Sequence, residues 1–244
     1  MKSKAGTDTE FFRTEKIPKI LLQIAPPVML AQLIQAMYNI VDSFFVGKYS
    51  EPALTALSVI YPLQLIIIAL AVGTGVGVNT YMARLYAQKM PGQAEETAGT
   101  GTLLALGTWF IFAIFSIFCM RPYVLTSANT PEAIESAVIY GQIVCIGSIG
   151  AFLEGNWTKV HQSRGNMHRP MVAQTVGALT NIVLDPILIF GLGPVPELGV
   201  AGAAYATVCG QVAAAVITSF GGVGRLPELS LIHISEPTRH SLIS

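Results

Sequence analysis

Apolar residues run along this chain in six stretches, each near the roughly 20 residues a helix needs to cross a hydrocarbon layer. They fall at about 18–46, 53–79, 98–120, 134–158, 170–192 and 199–221. Prolines mark the connections: Pro52, Pro91, Pro131, Pro170 and the "GPVP" at 193–196. A residue with no N–H and a fixed φ does least harm there. The pattern predicts an all-α membrane protein. A polar N-terminal segment (1–17) precedes a six-transmembrane-helix bundle (18–221), and a tail (222–244) follows it.

Two stretches carry polar residues in helical register. In "PPVMLAQLIQAMYNIVDSFFVG" (26–47), Gln32, Gln35, Asn39 and Asp42 fall within an arc of about 80° at 100° per residue, with Tyr38 at its edge. In the fifth stretch, Gln174, Asn181 and Asp185 fall within about 40°. The two also share "NIVD" against "NIVLD", with Pro27 and Pro170 near their starts, a weak internal similarity. Both carboxylates are expected some 6–9 Å below the same end of their helices.

An ionised Asp at membrane depth costs on the order of 2.5–3.5 kcal/mol even on a lenient insertion scale. For either residue alone, an interfacial, outward-facing acid is the ordinary alternative. Two at matched depth on polar stripes predict one water-accessible pocket inside the bundle. Such a pair would compete for a single proton, or hold sodium between the same oxygens. Pro186 removes the hydrogen bond to the Ile182 carbonyl and crowds that turn, which predicts a bend beside Asp185 and a helix switch.

Composition agrees with a membrane setting. The 244 residues are 52% hydrophobic and 11% charged, against about 25% charged in soluble domains. Net charge is zero, so no basic field points to nucleic acid. Cys119, Cys145 and Cys209 lie in apolar stretches without ligand spacing and read as packing residues. The first 19 residues show no cleavable signal peptide. With the N-terminus inside, eleven basic residues lie on the inner side, and only Lys48 and Arg121 lie outside. That asymmetry predicts a cytoplasmic N-terminus in a multi-pass protein of the cell membrane.

Other features add little chemistry. "GTGVGVNT" (73–80) lacks the Gly-Lys-Ser/Thr ending of a phosphate loop, so close helix packing explains it better. The small residues of "GVAGAAYATVCG" (199–210) are expected to act the same way. His161 and His168 read as solvated loop histidines, and Trp157 and Tyr123 as interfacial anchors. No catalytic or metal-binding motif is visible, so no enzyme and no cofactor are expected.

The chain resembles the MATE (multidrug and toxic compound extrusion) transporters. The matching pieces are "YNIVDSFFVGKYSEPALTALS", "GVNTYMARLYAQKMPGQAEETAG", "RGNMHRPM", "TNIVLDPILIFGLG" and "LGVAGAAYATV". The likeness covers about 11–221 and implies one lobe, the N-terminal one, of a twelve-helix, two-lobe bacterial transporter. It implies export of drugs or organic cations in exchange for protons or sodium. In the family pattern a Tyr stands four residues before the first-span Asp, matched here by Tyr38 and Asp42. The fifth-span Asn and Asp-Pro match Asn181, Asp185 and Pro186, and the fourth-span Tyr and sixth-span Thr match Tyr140 and Thr207. Asp42 and Asp185 would then couple the ion, with Tyr38, Gln35, Tyr140, Asn181 and Thr207 as their network. Apolar, Met and Phe side chains would line the substrate path.

The partners implied are small cationic or amphipathic substrates, membrane lipid and a missing C-terminal lobe. The sequence departs from the family where Tyr86-Ala87 follow Arg84, where Thr158 or Lys159 replaces an Asn, and in the extra carboxylate Glu154. A lipid-linked saccharide flippase of the same superfamily is one alternative reading, though its cavity would be more basic. A non-transporting half-size scaffold is another. Separately, "PELSLIHISEPTRHSLIS" resembles translated sequencing-adapter read-through over about 229–244, so His233 and His240 are set aside and an interrupted gene is expected.

Overall fold

The computed structural model describes residues 17–224. The signal-peptide reading and the adapter-like tail, with His233 and His240, lie outside them. Seven helices follow in order: α1 (Ile17–Tyr49), α2 (Glu51–Ala87), α3 (Pro91–Leu125), α4 (Pro131–Gly147), α5 (Ile149–Ser163), α6 (His168–Phe190) and α7 (Val200–Gly222). α1, α2, α3, α6 and α7 are each long and apolar enough to cross a membrane. α4 and α5 make a sixth span bent by 42°. No strand occurs among the described residues. The chain is a multi-pass membrane protein.

Local chemistry sets the helix ends. Ser50 caps α2 by accepting the Ala53 N–H at 3.2 Å, and Thr130 caps α4 through the Ala133 N–H at 3.4 Å. Pro52, Pro91 and Pro131 each sit in a first turn, where their missing N–H costs nothing. Gly191 ends α6 in the left-handed region at φ 68°, a conformation open to glycine at little cost.

The fourth span breaks at a Gly-Ser step. The Ser148 hydroxyl donates to the Cys145 carbonyl at 2.7 Å. Gly147 and Gly150 on either side have no room for a side chain: an added Cβ would come within 2.3 Å of the Val208 side chain and 2.8 Å of the Gln211 carbonyl carbon. The bend lets α7 lie against this span. α6, in contrast, runs as one helix through Pro186 to Phe190. The interruptions fall at Ser148 and at Phe220–Gly221, whose φ/ψ are not helical.

Helices α6 and α7 are the tightest pair. A Cβ on Gly177 would stand 2.8 Å from the Gly210 carbonyl oxygen, and one on Gly210 would stand 2.7 Å from that of Gly177. Backbone meets backbone here, as small residues permit in membrane helices. The main core draws on all seven helices around Ile60, Met120, Tyr140 and Phe152, all within 1% of full burial. The bundle's outside is apolar, with Phe118 and Ile111 largely exposed.

Two sequence expectations change. His161 is not a loop residue: α5 extends to Ser163, and the imidazole is buried with Nε2 2.9 Å from the Thr218 carbonyl oxygen. Trp157 is not an interfacial anchor, because its ring is buried and its indole N–H donates to Thr102 Oγ1 at 3.0 Å. Tyr123 is half-buried and donates to the Val59 carbonyl at 2.9 Å, tying α3 to α2. His168 stands exposed at the start of α6. Of the cysteines, Cys145 is buried, while Cys119 and Cys209 are exposed on the apolar outside.

Candidate functional site: a polar cavity beside α1

Helix α1 packs along α6 and only lightly on α2 and α7. Its polar stripe is therefore left beside a gap instead of being covered. Two cavities of about 290 and 300 Å³ occupy that gap. Both are lined by Gln32, Gln35, Tyr38, Thr207 and Gln211, so they adjoin along one polar seam. The first extends toward the N-terminal ends of α1 and α6, past Glu154, Gln174 and Met171. The second extends toward the other end, past Asn39, Tyr61 and Gln64 to Asp42.

The two expected carboxylates occupy different places. Asp42 is 7% exposed, forms part of the second cavity's wall, and its buried Oδ1 has no hydrogen-bond partner. Asp185 is 0% exposed and lines neither cavity. It sits behind Asn181, whose amide contacts an Asp185 carboxylate oxygen at 3.3 Å and Thr207 Oγ1 at 3.4 Å. One wet chamber shared equally by both acids, as the polar stripes predict, is not the arrangement found. One acid faces the cavity, and the other is held behind a bridging amide.

Helix packing explains this difference. The Gly177–Gly210 contact brings α6 and α7 so close that Asn181 meets Thr207, and the face one turn further along, at Asp185, has no space beside it. Asp42 lies seven residues before the end of α1 and Asp185 five before the end of α6, placing them about 10 and 8 Å below those ends. Near that end, Phe190 packs edge-on against Phe45 at 6.5 Å and Tyr49 at 6.2 Å, joining α6 to α1.

Tyr38 lines both cavities, one turn from Asp42. Tyr140 is 1% exposed, lies behind the wall beside Thr207, and its hydroxyl accepts from Gln64 Nε2 at 3.3 Å. Pro186 follows Asp185 inside the unbroken α6. The expected phenylalanines do not line either cavity; Met167 and Met171 do, among glutamines. Sequence reasoning missed Gln64, Gln211 and Gln162 as cavity residues. The first two stand alone in apolar runs ("YPLQLIII", "VCGQVAAA"), and that isolation was the available signal. Among the described residues no group of three or more His, Cys, Asp or Glu could hold a metal ion.

The family model MatE matches residues 27–187. The chain belongs to the MatE family. The matched range holds Tyr38, Asp42, Tyr140, Asn181, Asp185 and Pro186. Among relatives of this MatE chain, the FAD transporter of Shewanella oneidensis is 29% identical over 222 residues, covering 84% of this chain and 45% of that one. The multidrug export protein MepA of Staphylococcus aureus is 26% identical over 214 residues, covering 86% and 46%. A solved structure of a MOP superfamily transporter from Pyrococcus furiosus, described as having a binding pocket of reversed polarity, superposes with a TM-score of 0.80. It is 26% identical, over 90% of this chain and 47% of that one. The MatE chain thus spans about half the length of the relatives it matches, and its fold is that of one lobe.

Proposed function

We propose that this MatE chain forms the ion-coupling lobe of a secondary antiporter that exports organic cations in exchange for protons or sodium. The supporting observation is the asymmetric pair: a cavity-facing Asp42 with an unpartnered oxygen on α1, and a sealed Asp185 held by Asn181 on the neighbouring α6. In this reading Asp42 exchanges ions with the cavity. Asp185 senses the exchange, and Asn181 passes its charge state to Thr207 and so to α7. A cation bound near Asp42 relieves Asp185 of its neighbour's charge, and an empty site restores it. Tyr38 orients what enters the cavity, Tyr140 and Gln64 fix the wall, and Gln35 extends the polar track. Alternating access requires a second bundle against which this one can rock, which fits a chain spanning half of its relatives.

Export of a flavin dinucleotide is the second reading, favoured by the 29% identity to the Shewanella protein. Its phosphates would meet Asp42 and Glu154 against the single cavity lysine, Lys159. That balance of charge favours cations.

The experiment is efflux of a fluorescent organic cation from inverted membrane vesicles carrying the full-length transporter, energised by an imposed proton or sodium gradient. Asp42→Asn and Asp185→Asn are each expected to abolish gradient-driven export while leaving protein in the membrane. Gradient-driven export at the normal rate in the double variant would overturn the assignment.

A further inference from the structure

Helix α7 is interrupted at Phe220–Gly221, where Gly221 takes a left-handed φ of 90°. The last carbonyls of a helix have no donors within it, and here other parts of the chain supply them. Arg164, just past the end of α5, donates to the Gly221 carbonyl, and Arg169 of α6 donates to that of Phe220. His161 of α5 lies against the Thr218 carbonyl oxygen. An arginine offers five N–H donors in a planar fork, and its charge suits the C-terminal end of a helix. The Arg164 fork is itself held from behind. Its Nε donates to the Tyr86 hydroxyl of α2 at 3.0 Å, and Nη2 donates to Glu95 Oε1 of α3 at 2.8 Å.

A separate set of contacts seats the residues that follow the break. A Cβ on Gly222 would stand 2.7 Å from Trp157 Cβ, and one on Gly224 would stand 2.6 Å from both Ala98 Cβ and the Glu95 carbonyl oxygen. Gly224 is also left-handed, at φ 72°. Between them, the Val223 carbonyl oxygen lies 3.1 Å from Thr102 Oγ1, the hydroxyl that accepts the Trp157 indole N–H. The stretch "GGVG" (221–224) thus lies in a slot between α3 and α5 that has no room for a side chain at its second or fourth position.

We propose that Arg164 and Arg169 form a clamp that seats residues 220–224 in this slot, so that the chain leaving α7 moves with α3 and α5 as one body. A helix end held only by its own helix could swing about the Gly221 break. Here α2, α3, α5 and α6 all act on that one turn of α7. The two arginines also flank the α5–α6 connection, whose Met167 lines the first cavity, so the same clamp pins that connection to α7. The clamp goes beyond the export reading, since it uses neither Asp42 nor Asp185 and is measured without transport. Within that reading, it is the joint through which movement of this bundle would reach the chain beyond α7.

The test places nitroxide labels at Phe220→Cys and Phe118→Cys in the 244-residue chain in lipid nanodiscs, with its own cysteines replaced by alanine. Both side chains are exposed, and Phe118 lies about 24 Å along α3 from Thr102. Pulsed double electron–electron resonance is expected to give one narrow distance distribution. Arg164→Gln with Arg169→Gln should broaden it about twofold or more, as a released chain end opens locally. A reference pair at Phe118→Cys and Leu179→Cys, on α3 and α6, should stay as it was. Arg164→Lys should broaden the first pair too, because an ammonium lacks the fork that reaches Gly221, Tyr86 and Glu95 together. Should the double variant loosen the whole bundle, as the reference pair would show, Gly224→Ala supplies the second readout, since its methyl has no room in the slot. An unchanged distribution in the arginine variants or in Gly224→Ala overturns the clamp. Equal broadening in Arg84→Gln, which removes an exposed charge of α2 outside the clamp, overturns it as well. Loss of export in the Asp variants bears on the coupling reading alone, so the two failures are distinguishable.

Discussion

Asn181 is the residue on which the two halves of the site depend. It is 2% exposed, and one amide reaches both Asp185 and Thr207. Replacing it with Leu keeps the volume but leaves a buried carboxylate without its hydrogen-bond donor, the costly half of a broken polar pair. Asn181→Leu is expected to lower coupling-ion affinity by roughly ten- to a hundredfold, the range seen when outer partners of an ion ligand are removed. Ion-dependent quenching of a probe in the reconstituted protein measures it; affinity within twofold of wild type would remove Asn181 from the network. This residue was visible in the sequence because it shares a face with Asp185, and helical spacing is read directly from the chain. Gln64 and Gln211 were not, because each sits in an otherwise apolar run, and what makes it part of the site is the cavity built by helices distant in sequence.

At the scale of elements, the α6–α7 pair sets the geometry. Its closeness rests on Gly177 and Gly210 facing each other with backbone contact. Gly210→Val would force the helices apart or strain the backbone, costing about 1–3 kcal/mol, or roughly 2–10 °C in melting temperature. Gly77→Ala is the control, since a Cβ there meets nothing within 4 Å. Equal melting temperatures for the two variants would contradict the close approach. The six spans and the small-residue contacts were legible in the sequence, because span length and residue size are local properties. The bend at Ser148 was not: Gly147 and Gly150 make room for α7, a partner some sixty residues away. His161 and Trp157 were misplaced for the same kind of reason. A polar residue near a span's end reads as interfacial until the chain supplies a buried partner, here Thr218 for one and Thr102 for the other.

For the whole molecule, the described helices leave two adjoining polar cavities beside α1. α1 is the loosest of its spans, with a stripe of polar groups facing the gap and Leu33, Met37 and Phe44 exposed beside them. An isolated Asp on such a helix would be an expense without a return. In the proposed function it is half of a two-acid device with Asp185 across the α1–α6 contact, in which a single positive charge would satisfy both. The direct measurement is the number of protons released per chain when saturating sodium is added to the reconstituted protein, followed with a pH-indicating dye in weak buffer. The account predicts about one proton for the wild type, and the same near-zero release for Asp42→Asn, Asp185→Asn and the double variant. Partial losses in the single variants that add up in the double one, or undiminished release when both acids are gone, would contradict it.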